Sequence, residues 1–302
     1  MNNIGDRIVK EQNEDINIKY LAAQKQIYSL GKSFFATQAI VAVPIPILIS
    51  LVTPYLGKTQ EKIAWVFILY SIIASFVEVL FDDKASKLKK LAASIQEKFD
   101  CNVLLIEWNK TLLPNMPDDE IVFRHYRKYI KKNKLDKLYD WYSTEIKDVY
   151  TNLATIICQR TNCNYDFTLR KRYSSTVLPL AIGTFALLFV ISSSYGISLQ
   201  SLITNVLFPS LPVFILAYKQ ISSNKDSIEN LLQLKDLIEN QLSILHIYQT
   251  IDNKLIRQIQ DKIYYKRILS PLLPDWVYNF LRNDLEQEMH FSVKEKIRQL
   301  KS

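Results

Sequence analysis

The chain has 302 residues, of which 48% are hydrophobic, and a formal net charge of +8. Its apolar residues are concentrated in four runs almost free of charge, which excludes an ordinary pair of globular domains and is typical of an integral membrane protein. The positive charge is compatible with nucleic acid, anionic lipid or simple membrane topology as its cause.

The first 80 residues predict a polar helical arm followed by a membrane hairpin. The arm comprises residues 1–33, and the residues that recur there at helical spacing are Ile16, Tyr20, Leu21, Gln24, Ile27 and Tyr28. Residues 34–56 and 63–80 are each long and apolar enough to cross a hydrocarbon core of ~30 Å. Because proline removes a backbone donor, we expect the first span to kink between Val43 and Pro46.

The middle of the chain, residues 81–175, is polar, basic and aromatic. A helix is expected to continue from the second span through Lys98. The apolar run 103–106 then predicts one strand or a buried loop. Residues 120–137 return to helical spacing, with a basic face formed by Arg124, Arg127, Lys128, Lys131, Lys132 and Lys134.

A second hairpin and a polar tail follow. Residues 176–194 and 202–218 predict two more spans, the latter broken by Pro209 and Pro212. Residues 222–263 predict one long amphipathic helix, with an apolar stripe of Leu231, Leu234, Ile238, Leu242, Leu245 and Tyr248. Such a stripe packs against its own protein or against further copies of the chain.

The fold predicted from these elements is a mainly all-α polytopic membrane protein. Its segments are a cytosolic arm (1–33), a first transmembrane hairpin (34–80), a cytosolic sensor domain (81–175), a second hairpin (176–218) and a cytosolic helical or oligomerisation region (219–302). The lysines and arginines lie almost entirely outside the two short outer turns. Because basic residues stay on the cytoplasmic side, both termini are predicted to be cytoplasmic.

The sequence predicts no catalytic site, metal site or cofactor. It contains no glycine-rich phosphate loop and no metal-ligand spacing among His125, His246 and His290. Cys101, Cys158 and Cys163 form no CxxC pair and are expected to be reduced thiols. One enzymatic alternative is a membrane hydrolase that uses His125 with Asp118 or Asp119.

The central block carries the residue types that a nucleotide pocket needs. Arginine binds phosphate bidentately, aromatic faces stack on bases, and amides or carboxylates bind base edges and ribose hydroxyls. The candidate ligand-binding residues are Trp108, Asn109, Trp141, Tyr142, Gln159, Arg160, Asn162, Asp166, Arg170 and Arg172, with Tyr165 as a further aromatic candidate. The alternative is that the aromatic residues fill a small core and that the basic run 170–172 is a topology signal.

Several fragments of the chain resemble one known family. They are YLAAQKQIYS from Tyr20, IQEKFD from Ile95, WN from Trp108, DWY from Asp140, CQRTN from Cys158, Asp166, and RKRY from Arg170. In this order, with the two-plus-two arrangement of spans, the chain resembles the SMODS-associated four-transmembrane effectors, pore-forming proteins of bacterial CBASS antiphage systems. The resemblance covers almost the whole chain.

That resemblance implies a multi-pass protein of the bacterial inner membrane. A cyclic di- or trinucleotide, made by a partner synthase during infection, would bind the cytosolic block and switch the bundle into a membrane-damaging state. The implied partners are membrane lipid, the nucleotide and further copies of the chain, but not DNA or RNA.

The polar residues within the predicted spans are the candidates to line a conduit. They are Gln38, Ser50, Ser71, Ser75 and Asn205, together with Thr184 and Ser193. Each of them is also a residue type that makes hydrogen bonds between membrane helices. Two other functions remain open, a constitutive small channel or transporter and a membrane scaffold that binds a cytosolic protein.

Overall fold

A computed structural model of the chain describes residues 3–42, 44–45, 47–48, 60–194 and 198–301. All regular structure in these ranges is helical, which confirms the predicted all-α class. The α-helices are α1 (Ile4–Glu11), α2 (Asp15–Ala42), α3 (Gln60–Leu104), α4 (Asp119–Ile130), α5 (Leu153–Ser194), α6 (Leu199–Leu202), α7 (Phe208–Ser243), α8 (Asn253–Leu269) and α9 (Asp275–Lys301). Shorter turns are 3-10 helical at Asp136–Leu138 and Thr144–Asp148 and π-helical at Ile203–Leu207.

Helices α2 and α3 form an antiparallel pair that leads from the arm into the first predicted hairpin. The rings of Phe34 and Phe81 meet edge to face with centroids 5.2 Å apart. Farther along the pair, Asn102 Nδ2 donates to Asn17 Oδ1 over 2.9 Å. Helix α3 runs without a break past Lys98, as predicted. The kink predicted between Val43 and Pro46 lies outside the described residues.

The predicted strand at residues 103–106 is wrong. Val103 and Leu104 form the last turn of α3, and Leu105 adopts the left-handed conformation at φ 58°. The Ile106 N–H then donates back to Cys101 O over 3.0 Å, which is the hydrogen bond of a Schellman C-cap. The apolar run reflects burial of a helix end, because Val103, Leu104 and Ile106 are all buried.

Helix α5 has two halves in different surroundings. Its first half belongs to the core, where Leu153, Ile156 and Ile157 are completely buried. Beyond residue 176 its apolar side chains lie outside, with Leu180 69% and Val190 62% exposed. Within the described ranges, α5 is the one helix long and apolar enough to cross a membrane, with mean hydropathy 2.0 and 11% burial in its most apolar window. Because exposed apolar surface of this extent is unfavourable in water, the second half of α5 is suited to lipid.

The second half of α5 packs against α7. Ala181, Val213 and Ala217 are buried together, and small residues of this kind allow membrane helices to approach closely. The break predicted at Pro209 and Pro212 is found only before the first of them: a π-helical turn precedes α7, Pro209 lies in the first turn of α7, and α7 continues unbroken past Pro212. The count of four spans stays a prediction.

The single long helix predicted at residues 222–263 is wrong. Helix α7 ends at Ser243, and α8 begins only after the N-cap Asp252, whose Oδ1 accepts from Lys254 N over 2.9 Å. Between them the chain turns, with Gln249 N donating to His246 O over 2.9 Å and Ile247 N donating to Leu300 O over 3.0 Å, although the sequence has no Gly or Pro there.

One hydrophobic core draws on the arm, the middle block and the tail. It contains Leu21 and Ile27 from α2, Phe99 from α3, and Ile256 and Ile259 from α8. Most of the predicted tail stripe also packs here, namely Leu231, Leu234, Ile238 and Leu242, with Leu245 half-buried beside them. The stripe therefore packs against its own protein, whereas Tyr248 is 81% exposed.

Helix α1 docks so closely that Gly5 has no room for a side chain. The Gly5 N–H donates to Val149 O over 2.9 Å, and a Cβ added to Gly5 would lie 1.9 Å from Ile146 O. We therefore expect Gly5→Ala to displace α1 and to lower the free energy of unfolding by at least the ~1–3 kcal/mol typical of overpacking. The measurement is the thermal unfolding midpoint in detergent.

The matched control is Gly183→Ala. A Cβ there meets nothing within 4 Å, and alanine is the better helix former, so the midpoint should stay the same or rise slightly. Equal midpoints for the two variants would show that α1 does not dock as described.

Candidate ligand-binding site

Six of the ten predicted ligand-binding residues lie on the first half of α5, on two different faces. At 3.6 residues per turn, Gln159, Asn162, Asp166 and Arg170 share one stripe. Arg160 and Arg172 lie on the neighbouring stripe, with Asn164 and Thr168 between them. The structure therefore divides the predicted pocket into an inner and an outer group.

The inner group is occupied by internal hydrogen bonds. Gln159 is completely buried, and its Nε2 donates to Ile256 O over 3.0 Å and to Gln260 Oε1 over 3.1 Å. Asn162 Nδ2 donates to the hydroxyl of Tyr142 over 3.1 Å, and that hydroxyl donates to Asp100 Oδ1 over 2.7 Å. Gln159 and Asn162 therefore stabilise the core and are not open to a ligand.

Gln159, Asn162 and Tyr142 adjoin a buried polar network that joins α3 to α8. On α3, Glu97 is 1% exposed and Asp100 is 0% exposed. Arg257 Nη2 lies 2.6 Å from Glu97 Oε1, and Arg267 Nη2 lies 2.6 Å from Asp100 Oδ2. Gln260 Nε2 donates to both carboxylates, over 2.8 Å to Glu97 and 2.9 Å to Asp100. The negative charges of two acids are thus balanced by the positive charges of two arginines inside the protein.

The electrostatics of this network follow from its burial. Burial raises the pKa of Glu97 above its usual value, although Arg267 opposes the shift. Burial lowers the pKa of Arg267, but the carboxylates of Asp100 and Glu97 outweigh this and hold that pKa above its usual value. Sequence reasoning missed the network, although the i, i+3 pairs Glu97–Asp100 and Arg257–Gln260 were visible as matched polar positions on two helices.

The outer group borders a groove between α5 and α9, with Arg160 in its wall and Arg172 one helical turn beyond Thr168. Its walls are Arg160, Thr161, Asn164, Tyr165 and Thr168 on α5, and Leu285, Glu288, Met289 and Ser292 on α9. The groove contains about 280 Å³ of open space.

Each predicted arginine of the outer group is paired with a carboxylate. Arg160 Nε pairs with Glu239 of α7, and Arg160 Nη1 donates to Ser292 Oγ over 2.9 Å. Arg172 pairs with Glu288, a residue of the groove wall. Lys296 Nζ also lies 2.7 Å from Glu239 Oε2. The groove is therefore bordered by cations whose present partners are side chains of other helices.

The remaining predicted ligand residues lie elsewhere. Trp108 Nε1 donates to Leu113 O over 2.8 Å, and Asn109 Nδ2 donates to Asp261 Oδ2 over 2.9 Å. The ring of Trp141 packs edge-on against Phe99, and Lys25 Nζ lies 5.6 Å from its centroid. Arg170 pairs with Asp166 across one helical turn, at 3.0 Å.

The hydrolase alternative lacks its dyad. His125 Nδ1 is buried without a hydrogen-bond partner, and Asp119 Oδ1 accepts from Lys98 over 2.7 Å. Asp118 precedes α4 as its N-cap. In the part of the chain that the structure describes, no group of three or more His, Cys, Asp or Glu side chains could hold a metal ion.

All three cysteines are free thiols, as predicted. Burial raises the pKa of Cys163 to about 12, so its reactive thiolate form is suppressed.

Most of the candidate conduit residues are not described in full. Ser50 and the side chains of Gln38, Ser71, Ser75 and Asn205 lie outside the described part of the chain. Thr184 Oγ1 and Ser193 Oγ donate to the Leu180 and Phe189 carbonyls of their own helix, over 2.9 and 2.7 Å. Hydrogen bonds of this kind satisfy a hydroxyl in an apolar surrounding.

Fold and site together define a class of protein, a helical membrane-associated protein in which a groove with polar and charged walls lies on the same helix as an apolar, lipid-suited segment. The chain belongs to the family described as the SMODS-associating 4TM effector domain, whose model matches residues 6–296. This confirms the family indicated by the sequence fragments.

One curated relative matches over nearly its full length. It is named a probable CBASS effector molecule, from Bacillus cereus (strain VD146), and is 28% identical over 293 residues, which cover 95% of this chain and 96% of that protein. No solved structure matches the chain.

The buried network makes a direct prediction about stability. Arg267→Met removes the cation beside Asp100 and Glu97, and breaking one partner of a buried ion pair costs ~3–5 kcal/mol. We expect a matching fall in the free energy of unfolding, measured by denaturant titration in detergent.

Arg298→Met is the control, because Arg298 also pairs with a carboxylate, Glu295 at 2.8 Å, but its side chain is 78% exposed. An exposed pair contributes ~0–1 kcal/mol, so this variant should unfold almost like the wild type. If Arg267→Met did the same, the network would not contribute to the stability of the fold.

Proposed function

We propose that this protein is the membrane effector of a CBASS-type antiphage defence system, and that a cyclic di- or trinucleotide switches it from a resting to a membrane-damaging state. Membership of an effector family and the name of the Bacillus cereus relative support this assignment. In such a system the nucleotide comes from a partner synthase, and damage to the membrane kills or arrests the infected cell.

The groove between α5 and α9 is the proposed nucleotide site. Arg160 and Arg172 offer guanidinium groups, which match phosphate oxygens in geometry and charge. Tyr165 supplies an aromatic face, and Asn164 and Thr168 supply polar groups for bases and ribose. The single observation that carries the proposal is that Arg160 in the groove wall, and Arg172 beside it on Glu288 of the opposite wall, are both held by exchangeable carboxylates.

Phosphate groups would compete with those carboxylates. When a nucleotide phosphate pairs with Arg172, Glu288 loses its partner and α9 loses an attachment to α5. The same exchange at Arg160 releases Glu239 of α7. Ligand binding is thereby linked to the contacts that hold α5, α7 and α9 together.

The size of the groove strengthens this link. The enclosed space of the groove is far smaller than the ~300–1,000 Å³ of usual small-molecule sites, so the groove must widen to enclose a cyclic dinucleotide. Because α5 continues from the groove into its apolar half, a displacement of α9 acts on the membrane segment. Reversing a 1:99 equilibrium requires ~5.5 kcal/mol of difference in affinity between the two states.

The rest of the proposal concerns the membrane. The protein is proposed to be a multi-pass protein of the bacterial inner membrane, with both termini in the cytoplasm, that acts as a homo-oligomer. Gln38, Ser50, Ser71, Ser75 and Asn205 are proposed to line the conduit. Exposure of the apolar half of α5 supports contact with lipid or with further copies of the chain.

Dye release from liposomes tests the proposal. Purified full-length protein should release dye only when a member of a panel of cyclic di- and trinucleotides of adenosine and guanosine is added. Arg160→Ala should weaken this response about tenfold or more, since a charge-assisted hydrogen bond contributes ~1.5–3 kcal/mol. Glu288→Gln, which removes a competing carboxylate, should lower the nucleotide concentration required.

Lys171→Ala is the matched control. Lys171 is an exposed neighbour of Arg172 and does not line the groove, so its removal should leave the response unchanged. Release without any nucleotide would instead support a constitutive channel. Absence of release with every nucleotide would support a scaffold.

A further inference from the structure

A second cationic cluster lies inside the protein, where the link between α8 and α9 passes between the helices that lead to the membrane. Lys89 Nζ on α3 donates to Ser270 O over 3.0 Å. Arg170 Nη1 on α5 donates to Pro271 O over 3.1 Å and to Asn224 Oδ1 over 3.0 Å. Two cations from different helices thus converge on two successive carbonyls of one link.

The charge of this cluster is not balanced. Arg170 is 7% exposed and pairs with Asp166, which is the one acid bonded to either cation among the described residues. Lys89 makes its hydrogen bond to a neutral carbonyl. Burial, Arg170 and Lys90 together lower the pKa of Lys89 to about 8, against a weak opposing effect of Asp82. The pKa is lowered mainly because burial disfavours the charged ammonium, and the nearby guanidinium of Arg170 adds to the effect.

Two hydroxyl groups beside the cations have no partner. Ser270 is 3% exposed, and its Oγ is buried without a hydrogen bond. Ser174 Oγ is likewise buried without a partner, one helical turn after Arg170 on the same face of α5. A buried hydroxyl without a partner is costly, so native proteins rarely retain one without a reason.

We infer that Lys89, Arg170, Ser174 and Ser270 form a binding site for a phosphate group. An ammonium, a guanidinium and two free hydroxyls all donate hydrogen bonds, and a phosphate supplies the oxygens to accept them. The inference goes beyond the proposed function, because Arg170 lies on the inner stripe of α5 and does not line the α5–α9 groove.

The position of the site indicates two sources for the phosphate. At ~1.5 Å per residue, Arg170 lies ~9 Å before the predicted span at residue 176, and Lys89 lies ~13 Å after the span that ends at residue 80. The polar headgroup region is ~5–7 Å thick on each side of the hydrocarbon core, so the site lies just beneath it. A headgroup of an anionic phospholipid and a soluble phosphate compound present the same chemistry here.

The experiment uses the full-length protein in nanodiscs and measures the unfolding midpoint. One arm compares phosphatidylcholine discs with discs that also contain phosphatidylglycerol. The other arm adds inorganic phosphate to phosphatidylcholine discs, at an ionic strength matched with sodium chloride. A ligand that binds only the folded state raises the midpoint, so the arm that shows the rise identifies the source.

Lys89→Met should weaken that binding about tenfold or more, whereas Lys90→Met, which removes the same charge from an exposed neighbour, should not. Binding to the wild type should also weaken as the pH rises through about 8, because the Lys89 ammonium loses its proton there. Ser174→Ala serves where Lys89→Met fails to fold. It removes an unpaired hydroxyl, so it should leave the ligand-free midpoint unchanged or raised while weakening binding.

Three outcomes would overturn the inference. One is that neither phosphatidylglycerol nor inorganic phosphate raises the midpoint. Another is that Lys90→Met weakens binding as much as Lys89→Met, which would show general surface attraction. The last is that Ser174→Ala leaves binding unchanged and Lys89→Met lowers the midpoint equally with and without phosphate. Arg160→Ala should leave this binding intact, which separates the inference from the nucleotide site in the groove.

Discussion

The buried pairing of Glu97 and Asp100 on α3 with Arg257 and Arg267 on α8 is the constraint on which the rest of the fold depends. A buried charge must find its partner, and the cost of leaving it alone is larger than the net gain from the pair. The network therefore contributes specificity. It joins α3 to α8 in one register, in which Gln260 donates to both carboxylates.

Helix α5, which packs beside this network, has one half suited to a protein core and one half suited to lipid. Its first half is covered by the core, while its second half exposes side chains such as Leu180 that only lipid or protein can cover favourably. No break separates the halves between residues 153 and 194. A shift in the packing of the first half must therefore be accommodated by the apolar half or by its neighbour α7.

Helix α9 is joined to α2, α5 and α7 by ion pairs. Lys32 of α2 lies 2.7 Å from Asp275, Arg172 of α5 pairs with Glu288, and Lys296 pairs with Glu239 of α7. Most of these pairs are partly exposed, so each is individually weak and open to competition by other anions. A set of weak, exchangeable ties is what the proposed switch requires.

The sequence by itself determined the all-helical class, the membrane-suited segment of α5 and the family, because apolar runs, helical period and ordered fragments are properties of the local chain. It placed Arg160 and Arg172 among the site residues, but their partners lie 79 and 116 positions away, and only the tertiary structure brought them together at a groove. The same reason explains the two wrong elements. Leu105 ends a helix in a conformation that favours glycine, and the break after Ser243 depends on a hydrogen bond from Ile247 to Leu300.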